Sequence, residues 1–595
     1  MSVPPGEAAD AATGVAVQGN QSGILSSLRN AFRRFREGIT SREESLFLLL
    51  AVLLGAFAGL VVVCFRVSID FTRLWLLGSG LHPAAWRVLV APTVGGLFVA
   101  FFATRYFPRV RGSGVTQTKS AVYIYDGYIP FGTVIEKFVF CALAIGSGHS
   151  LGPEDPSLQM GAGMASTLGR RLRLSRDKLR LIAPVGAAAG LAAAFNAPIS
   201  AVIFVIEEVI GTWSAGILGA IVLAAVSSVV VTRLFLGAEP MFRVPPYTLA
   251  HPAELLGYAA LGIVGGFASI FFGRLLAFLR ARLKALPKWT LYFQPAAAGL
   301  IIGVMGLKFP QVMGAGYDYI DQAMHGEFIW QLLFVLAVLK IVATSCSAGS
   351  GTPGGMFAPT LFIGAMLGGG IGELERHIAP GIAGPIGAYS LVGMGALFAG
   401  FLRVPMTSVF MVLEVSGNYS IILPVMIANT IAYLIGRRFQ PVPIFDVLTR
   451  QDGLELPSME EAREYTTLTV EEAMRPPTGP VLQASQTVAS ALAQAEASKD
   501  ETFLVSYDTG RWAYVRKSRL QEVKSLGKSS LLLRELLSAS RLARLHPDQP
   551  VDLALRLLRD APFLPVVHRA DAKKLLGVLS PNDILTAYRR GASPH

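Results

Sequence analysis

The chain has 595 residues, of which 52% are hydrophobic and 15% charged, with a mean hydropathy of +0.51 and a formal net charge of +12. This composition excludes a soluble globular protein of that size and is that of a membrane protein. The basic excess sits in flanking clusters without interleaved aromatics, which argues against nucleic-acid binding. Cys64, Cys141 and Cys346 stand in apolar surroundings without metal-ligand spacing and read as packing residues, so no metal site is expected.

In chain order, residues 1–45 begin with a leader of small residues, without the features of a cleavable signal. They continue as a basic amphipathic stretch, "ILSSLRNAFRRFREG", suited to the cytoplasmic membrane surface. Charge-free runs at 46–65, 88–104, 209–232, 255–273, 291–307, 378–402 and 415–436 approach the roughly 20 residues a span requires. Other apolar segments are cut by Gly and Pro, which membranes tolerate where the freed backbone lines a cavity or is buried in protein. Basic clusters at 169–180 and 436–439 read as cytoplasmic, so both termini are expected on that side of a bacterial inner membrane.

An internal repeat organises this region. "GSGHSLGPEDPSLQMGA" (146–162) matches "GSGTPGGMFAPTLFIGA" (349–365) at an offset of 203, equating Gly152 with Gly355 and Pro156 with Pro359. Downstream, the stretch from Gly186 matches that from Gly393 at an offset of 207. If the halves are inverted in the membrane, their broken helices meet near the midplane, where repeat-built transporters bind substrate, although the repeat alone does not give the orientation. The alignment also sorts the acids. Glu207 falls on Glu414 and reads as structural, an acceptor of backbone or side-chain hydrogen bonds. Glu208 falls on Val415, Glu154 on Phe357 and Asp155 on Ala358. An acid costs about 2.5–3.5 kcal/mol at the centre of a membrane helix, so those that break the repeat need a reason.

Each repeat unit places a Gly- and Pro-rich loop before an apolar helix, leaving unpaired N–H groups and a positive dipole end. Two such starts, with a third at "RGSGVTQT" (111–118) that adds the Ser113 hydroxyl, make a partial-charge site for an anion without Lys or Arg. The same glycines also serve as helix-packing motifs.

These motifs together resemble the CLC chloride channel and transporter family. "GSGVT" (112–116), "GPEDP" (152–156) and "GMFAP" (355–359) match its three signatures, and "AAAFNAPISAVIFVIEE" (192–208) is close to the family form. The resemblance implies an all-α multi-pass membrane domain of two inverted repeats of tilted, broken helices (46–451). It also implies a homodimer with one anion path per subunit, moving chloride and protons across the bilayer. Glu154 would be the external gate, its ionised carboxylate occupying an anion site, and Glu208 the internal proton-transfer acid. Gly112, Ser113, Gly114, Gly355, Met356, Phe357 and Ala358 would form the anion cage, with Phe445 where the family places a tyrosine.

The pattern departs from the family in four places. Pro153 replaces the basic residue before the gate. Asp155 replaces a glycine, and its charge either opposes ionisation of Glu154 or caps a helix. Thr116 replaces a proline, and Phe445 has no hydroxyl. Glu136 and Lys137 read as an interfacial or internally paired set, with tuning of Glu208 by Lys137 as the lesser reading, and His149 reads as hydrogen-bonded structure.

From 452 the composition turns to mixed charge with short apolar runs, a cytoplasmic α/β module of two units (about 466–523 and 530–590) resembling a CBS pair. Ser580 and Asp583 match residues that can bind a nucleotide ribose, so an adenine nucleotide is a candidate ligand, with no cofactor required. The first unit lacks that aspartate, which favours a dimer-stabilising scaffold. The reading is a proton-coupled chloride antiporter and not an enzyme. The alternatives are a passive proton-gated chloride channel of the same fold and, more distantly, a CBS-regulated divalent-cation transporter, which would need clustered pore acids.

Overall fold

The computed structural model describes residues 15–591 except 80–82, 212–214, 243–246, 248, 250, 381–383, 455, 457–467, 538–541, 559, 560 and 570. Of the expected leader ahead of the basic stretch at 24, residues 1–14 lie outside them and 15–23 are helical. The chain divides into two compact units, Met1–Leu456 and Pro457–His595.

The first unit is helical and built twice. Its first half comprises α1 (Val15–Leu76), α2 (Ala85–Arg105), α3 (Gly114–Ile124), α4 (Phe131–Gly146), α5 (Glu154–Arg171), α6 (Arg176–Phe195), α7 (Pro198–Phe204) and α8 (Ala215–Leu236). The second comprises α9 (Glu254–Lys284), α10 (Gln294–Lys308), α11 (Tyr317–Met324), α12 (Trp330–Gly349), α13 (Phe357–Ile378), α14 (Ile386–Leu402), α15 (Pro405–Ser416) and α16 (Ile422–Phe439), and α17 (Ile444–Gln451) follows. Among the described residues, eight helices are long and apolar enough to cross a membrane.

Three spans, α6, α12 and α13, escape a search for charge-free runs, α12 because Lys340 interrupts it, and the run 378–402 is not a single span. Within α6 and α13 the most apolar windows are 78% and 83% buried inside the protein, with mean hydropathies of only 1.4 and 1.3. Helices that face other helices need small residues for close approach more than oily ones. A Cβ on Gly161 of α5 would stand 2.1 Å from the Gly186 carbonyl of α6. In the second half, one on Gly364 of α13 would stand 2.3 Å from the Gly393 carbonyl of α14. The run 378–402 is broken because α13 ends at Ile378 and α14 begins only at Ile386, after Pro385.

The equivalent acids tie the halves together by exchange. Glu207 accepts from the Thr407 N–H at 3.0 Å and the Thr407 hydroxyl at 2.8 Å, at the start of α15. Glu414 accepts from the Ile199 N–H at 2.9 Å and the Ser200 N–H at 2.7 Å, at the start of α7. Each half therefore caps a helix of the other, satisfying amides that lack intrahelical acceptors.

In the tail unit, Thr469 and Glu472 form a capping box that opens α18 (Val470–Ala473). Strand β1 (Leu482–Gln483) pairs parallel with β2 (Thr502–Ser506), which pairs antiparallel with β3 (Trp512–Arg516); α19 (Val488–Glu496) lies between β1 and β2 in sequence, and α20 (Lys517–Ser525) follows β3. A second run adds α21 (Leu533–Leu536), α22 (Val551–Leu558), the antiparallel pair β4 (Leu564–Val567) and β5 (Leu575–Leu579), and α23 (Pro581–Gly591).

Candidate functional site

Gly152 and Gly355, equated by the repeat, lie against each other, each N–H donating to the other's carbonyl at 2.8 Å. A bridge between equivalent positions puts a local two-fold axis between them, so the starts of α5 and α13 meet. Side chains would not fit there: a Cβ on Gly355 would stand 2.7 Å from Asp155 Cβ and 2.9 Å from Gly152 O.

The two acids opening α5 go separate ways. Glu154 Oε2 accepts from the Ala358 N–H at 3.3 Å, in the first turn of α13, where amides lack intrahelical acceptors. The carboxylate is buried, and Oε1 has no hydrogen-bond partner. A negative group therefore occupies the positive end of α13. Met356 and Phe357 stand at the N-cap and first position of that helix.

Asp155 Oδ1 accepts from the Val115 N–H at 2.7 Å, at the start of α3, so of the two readings of Asp155 the geometry carries the cap. As the N-cap of α3, Ser113 makes no cap hydrogen bond, and its buried hydroxyl lies beside the Asp155 carboxylate and the Gly114 helix start.

Lys137 donates to Gly112 O at 2.7 Å. Lys340, equivalent to it at the same offset of 203, donates to Gly314 O at 2.8 Å and Val312 O at 3.1 Å. Both lysines brace the loops before α3 and α11. The lesser reading of Lys137 is therefore corrected: the lysine that meets Glu208 is Lys119.

Glu208 lies in a π-helical turn, Val205–Ile210, that continues α7. The wider turn re-aims successive side chains, sending Glu207 to the second half and Glu208 to the first. The equivalent stretch of α15 stays α-helical to Ser416, so the symmetry breaks where Glu208 replaces the repeat's valine. Glu208 Oε1 accepts from Lys119 Nζ at 2.8 Å, and the same nitrogen donates to Asp446 Oδ1 at 3.0 Å. Sequence reasoning missed Lys119 and Asp446, whose partnership spans 327 residues and has no local signature.

Phe445 is buried at the start of α17, its ring 6.3 Å from that of Phe357 in a T-shaped pair. Phe195, Phe204 and Phe398 also pack on Phe357, so an aromatic cluster surrounds this position. His149 is held by Pro92 O at 3.1 Å, as hydrogen-bonded structure.

The positive charge that Pro153 lacks comes from another element. A cavity of about 380 Å³ is lined by Arg66, Asp70, Arg73, Pro153, Tyr317 and Asp318. Arg73 pairs with Asp318 at 3.2 Å, whereas Arg66 makes no hydrogen bond or ion pair within 4 Å of any described residue and acts electrostatically on Glu154 and Asp70. The Tyr317 hydroxyl is likewise unpaired and buried. Replacing Arg66 with Gln should raise the half-saturating anion concentration at this face roughly three- to tenfold, read from initial flux against anion concentration.

In the tail unit, Asp583 accepts from the Ser580 N–H at 2.8 Å and hydroxyl at 2.6 Å and pairs with Arg475 at 3.1 Å. The two residues matched to a ribose site are engaged with each other and with this arginine.

Converging helix starts, a buried hydroxyl at one of them and a carboxylate seated on an amide define a membrane protein built to handle an anion. The chain belongs to the voltage gated chloride channel family, whose model matches residues 95–437. It is 32% identical over 432 residues to a chloride channel protein described as ClcB-like from Ralstonia nicotianae, covering 69% of this chain and 99% of that one. It is 30% identical over 414 residues to the H(+)/Cl(-) exchange transporter ClcA of Vibrio campbellii, covering 67% of this chain and 88% of that one. The fold is shared with the crystal structure of a slow cyanobacterial Cl-/H+ antiporter, at a TM-score of 0.64 and 23% identity over 68% of this chain and 97% of that one.

Proposed function

We propose that this chain is a proton-coupled chloride antiporter gated by Glu154. It works as a homodimer in a bacterial inner membrane with both termini cytoplasmic. The observation that carries the reading is the Glu154 carboxylate on the Ala358 amide at the meeting point of the repeats, where it is a tethered competitor for a halide. Protonation removes its charge and its hold on the helix start, and the anion takes the place. Backbone dipoles and the Ser113 hydroxyl bind a halide without a full opposing charge, strongly enough to admit it and weakly enough to release it. Glu208, buried on the Lys119 side, supplies the inner proton, and Arg66 draws anions to the outer mouth.

The test is purified protein in liposomes with a chloride gradient and a pH electrode. Wild type should drive protons uphill as chloride runs down, and Glu208→Gln should keep chloride flux while proton movement falls at least about tenfold. Chloride flux without proton movement in wild type would favour the second reading, a passive proton-gated channel, for which the missing hydroxyl at Phe445 speaks. The tail, with its paired β-α runs, is proposed as a CBS pair that stabilises the dimer. An adenine nucleotide could bind there only if Arg475 released Asp583.

A further inference from the structure

Lys119 holds two carboxylates on one nitrogen, Glu208 at 2.8 Å and Asp446 at 3.0 Å, and the three side chains are only 1%, 5% and 6% exposed. One ammonium cannot neutralise two buried carboxylates. With both ionised the cluster carries a net negative charge that burial makes costly, so it is neutral only with one added proton. Other titratable or charged groups nearby are otherwise engaged. Glu207 caps α15, the Tyr123 hydroxyl donates to Ile210 O at 2.6 Å, and Arg180 donates to Val122 O at 3.1 Å while facing the Tyr123 ring.

Asp446 is in the first turn of α17, which is eight residues and so about 12 Å long. The other end of that helix is in polar surroundings: Arg280 donates to Leu448 O at 2.8 Å and to Asp452 at 2.9 Å, and Lys284 donates to Gln451 O at 2.8 Å. Asp446 thus lies between Glu208 and a charged face of the membrane unit, on an element that Glu208 does not belong to.

We propose that Asp446 is a second proton-carrying residue of the inner route, exchanging its proton with Glu208 through Lys119. In the step, an N–H bond of the Lys119 ammonium breaks as an O–H bond forms on Glu208. The O–H bond of protonated Asp446 then breaks as its proton restores the ammonium. Protonated Asp446 and ionised Glu208 become ionised Asp446 and protonated Glu208, with no other reactant. The inference rests on the antiport reading and adds a residue to it.

The test uses full-length protein in liposomes. Asp446→Asn should lower proton turnover at least about tenfold while chloride turnover falls less than about threefold, and Asp446→Glu should restore most of the proton turnover. Lys119→Arg is the second variant: it keeps the positive charge but cannot give up a proton, so it should show the same selective loss. A proton-to-chloride ratio like wild type in both Asp446→Asn and Lys119→Arg, or equal loss of both fluxes, overturns the proposal. A readout independent of antiport is an infrared titration of the purified protein. Asp446→Asn and Glu208→Gln should each alter the same protonated-carboxyl band, and a band indifferent to Asp446→Asn also overturns it. Wild type that moves no protons yet keeps that shared band would instead overturn the antiport reading alone.

Discussion

Glu154→Gln should abolish proton movement and flatten the pH dependence of chloride flux, leaving a flux that varies less than about twofold between about pH 5 and 8. In wild type, chloride flux should rise as pH falls, by at most about tenfold per pH unit if one proton opens the gate. The sign follows from where the carboxylate sits. Ionised Glu154 accepts from the Ala358 N–H and lies in the field of the α13 start, an attraction of about 0.3–2 kcal/mol from the dipole alone. Because the side chain is covalently attached, it competes with free chloride at a high effective concentration. Protonation removes the charge, and the neutral acid is the weaker acceptor. Gln has the same shape but neither the charge nor the exchangeable proton, so chloride wins at every pH and nothing couples it to protons. Flux that stays steeply pH-dependent in this variant, or cation flux in place of chloride, would remove the tethered-competitor mechanism.

The second large effect is on stability. Glu414→Ala should cost roughly 3 kcal/mol, seen as a fall of several degrees in the melting temperature of the detergent-solubilised protein. Glu414 accepts three hydrogen bonds at the start of α7, from the Ile199 N–H, the Ser200 N–H and the Ser200 hydroxyl at 2.5 Å. In water an uncapped helix start would be resolvated at small cost. Here Ser200 is fully buried, so its orphaned N–H keeps most of its penalty, while that of the exposed Ile199 keeps less. Glu414→Gln retains one acceptor oxygen and should fall between Ala and wild type. A melting temperature for Glu414→Ala equal to that of wild type would show that the exchanged caps contribute nothing.

The repeat was the most informative feature of the linear sequence. Offsets of 203 and 207 located Gly152 against Gly355 and Glu207 against Glu414, and each pair proves to be a physical exchange in three dimensions. Acids that broke the repeat were recognisable because a carboxylate at an otherwise apolar position has a known cost. The spans α6 and α13 were less visible, since hydropathy reports preference for lipid and these helices face protein. The role of Asp155 stayed divided between charge and cap until the Val115 amide was found beside it. Lys119, Asp446 and Arg66 were invisible as site residues, because their partners are distant in sequence, even where a neighbour such as Phe445 or the 112–116 motif was singled out.

By itself, then, the sequence determined a twice-built anion-handling membrane unit, its glycine-rich helix starts, the repeat-breaking acids Glu154 and Glu208, and a separate α/β tail. Only the tertiary structure decided which helix start each acid serves, which lysine pairs with Glu208, and that the Arg66 guanidinium of α1 lines the same cavity as Pro153. The reason is that composition, periodicity and repeats record how each residue meets solvent, lipid and its own backbone. The pairing of buried charges depends instead on which helices cross and at what height, a property of contacts between residues hundreds of positions apart.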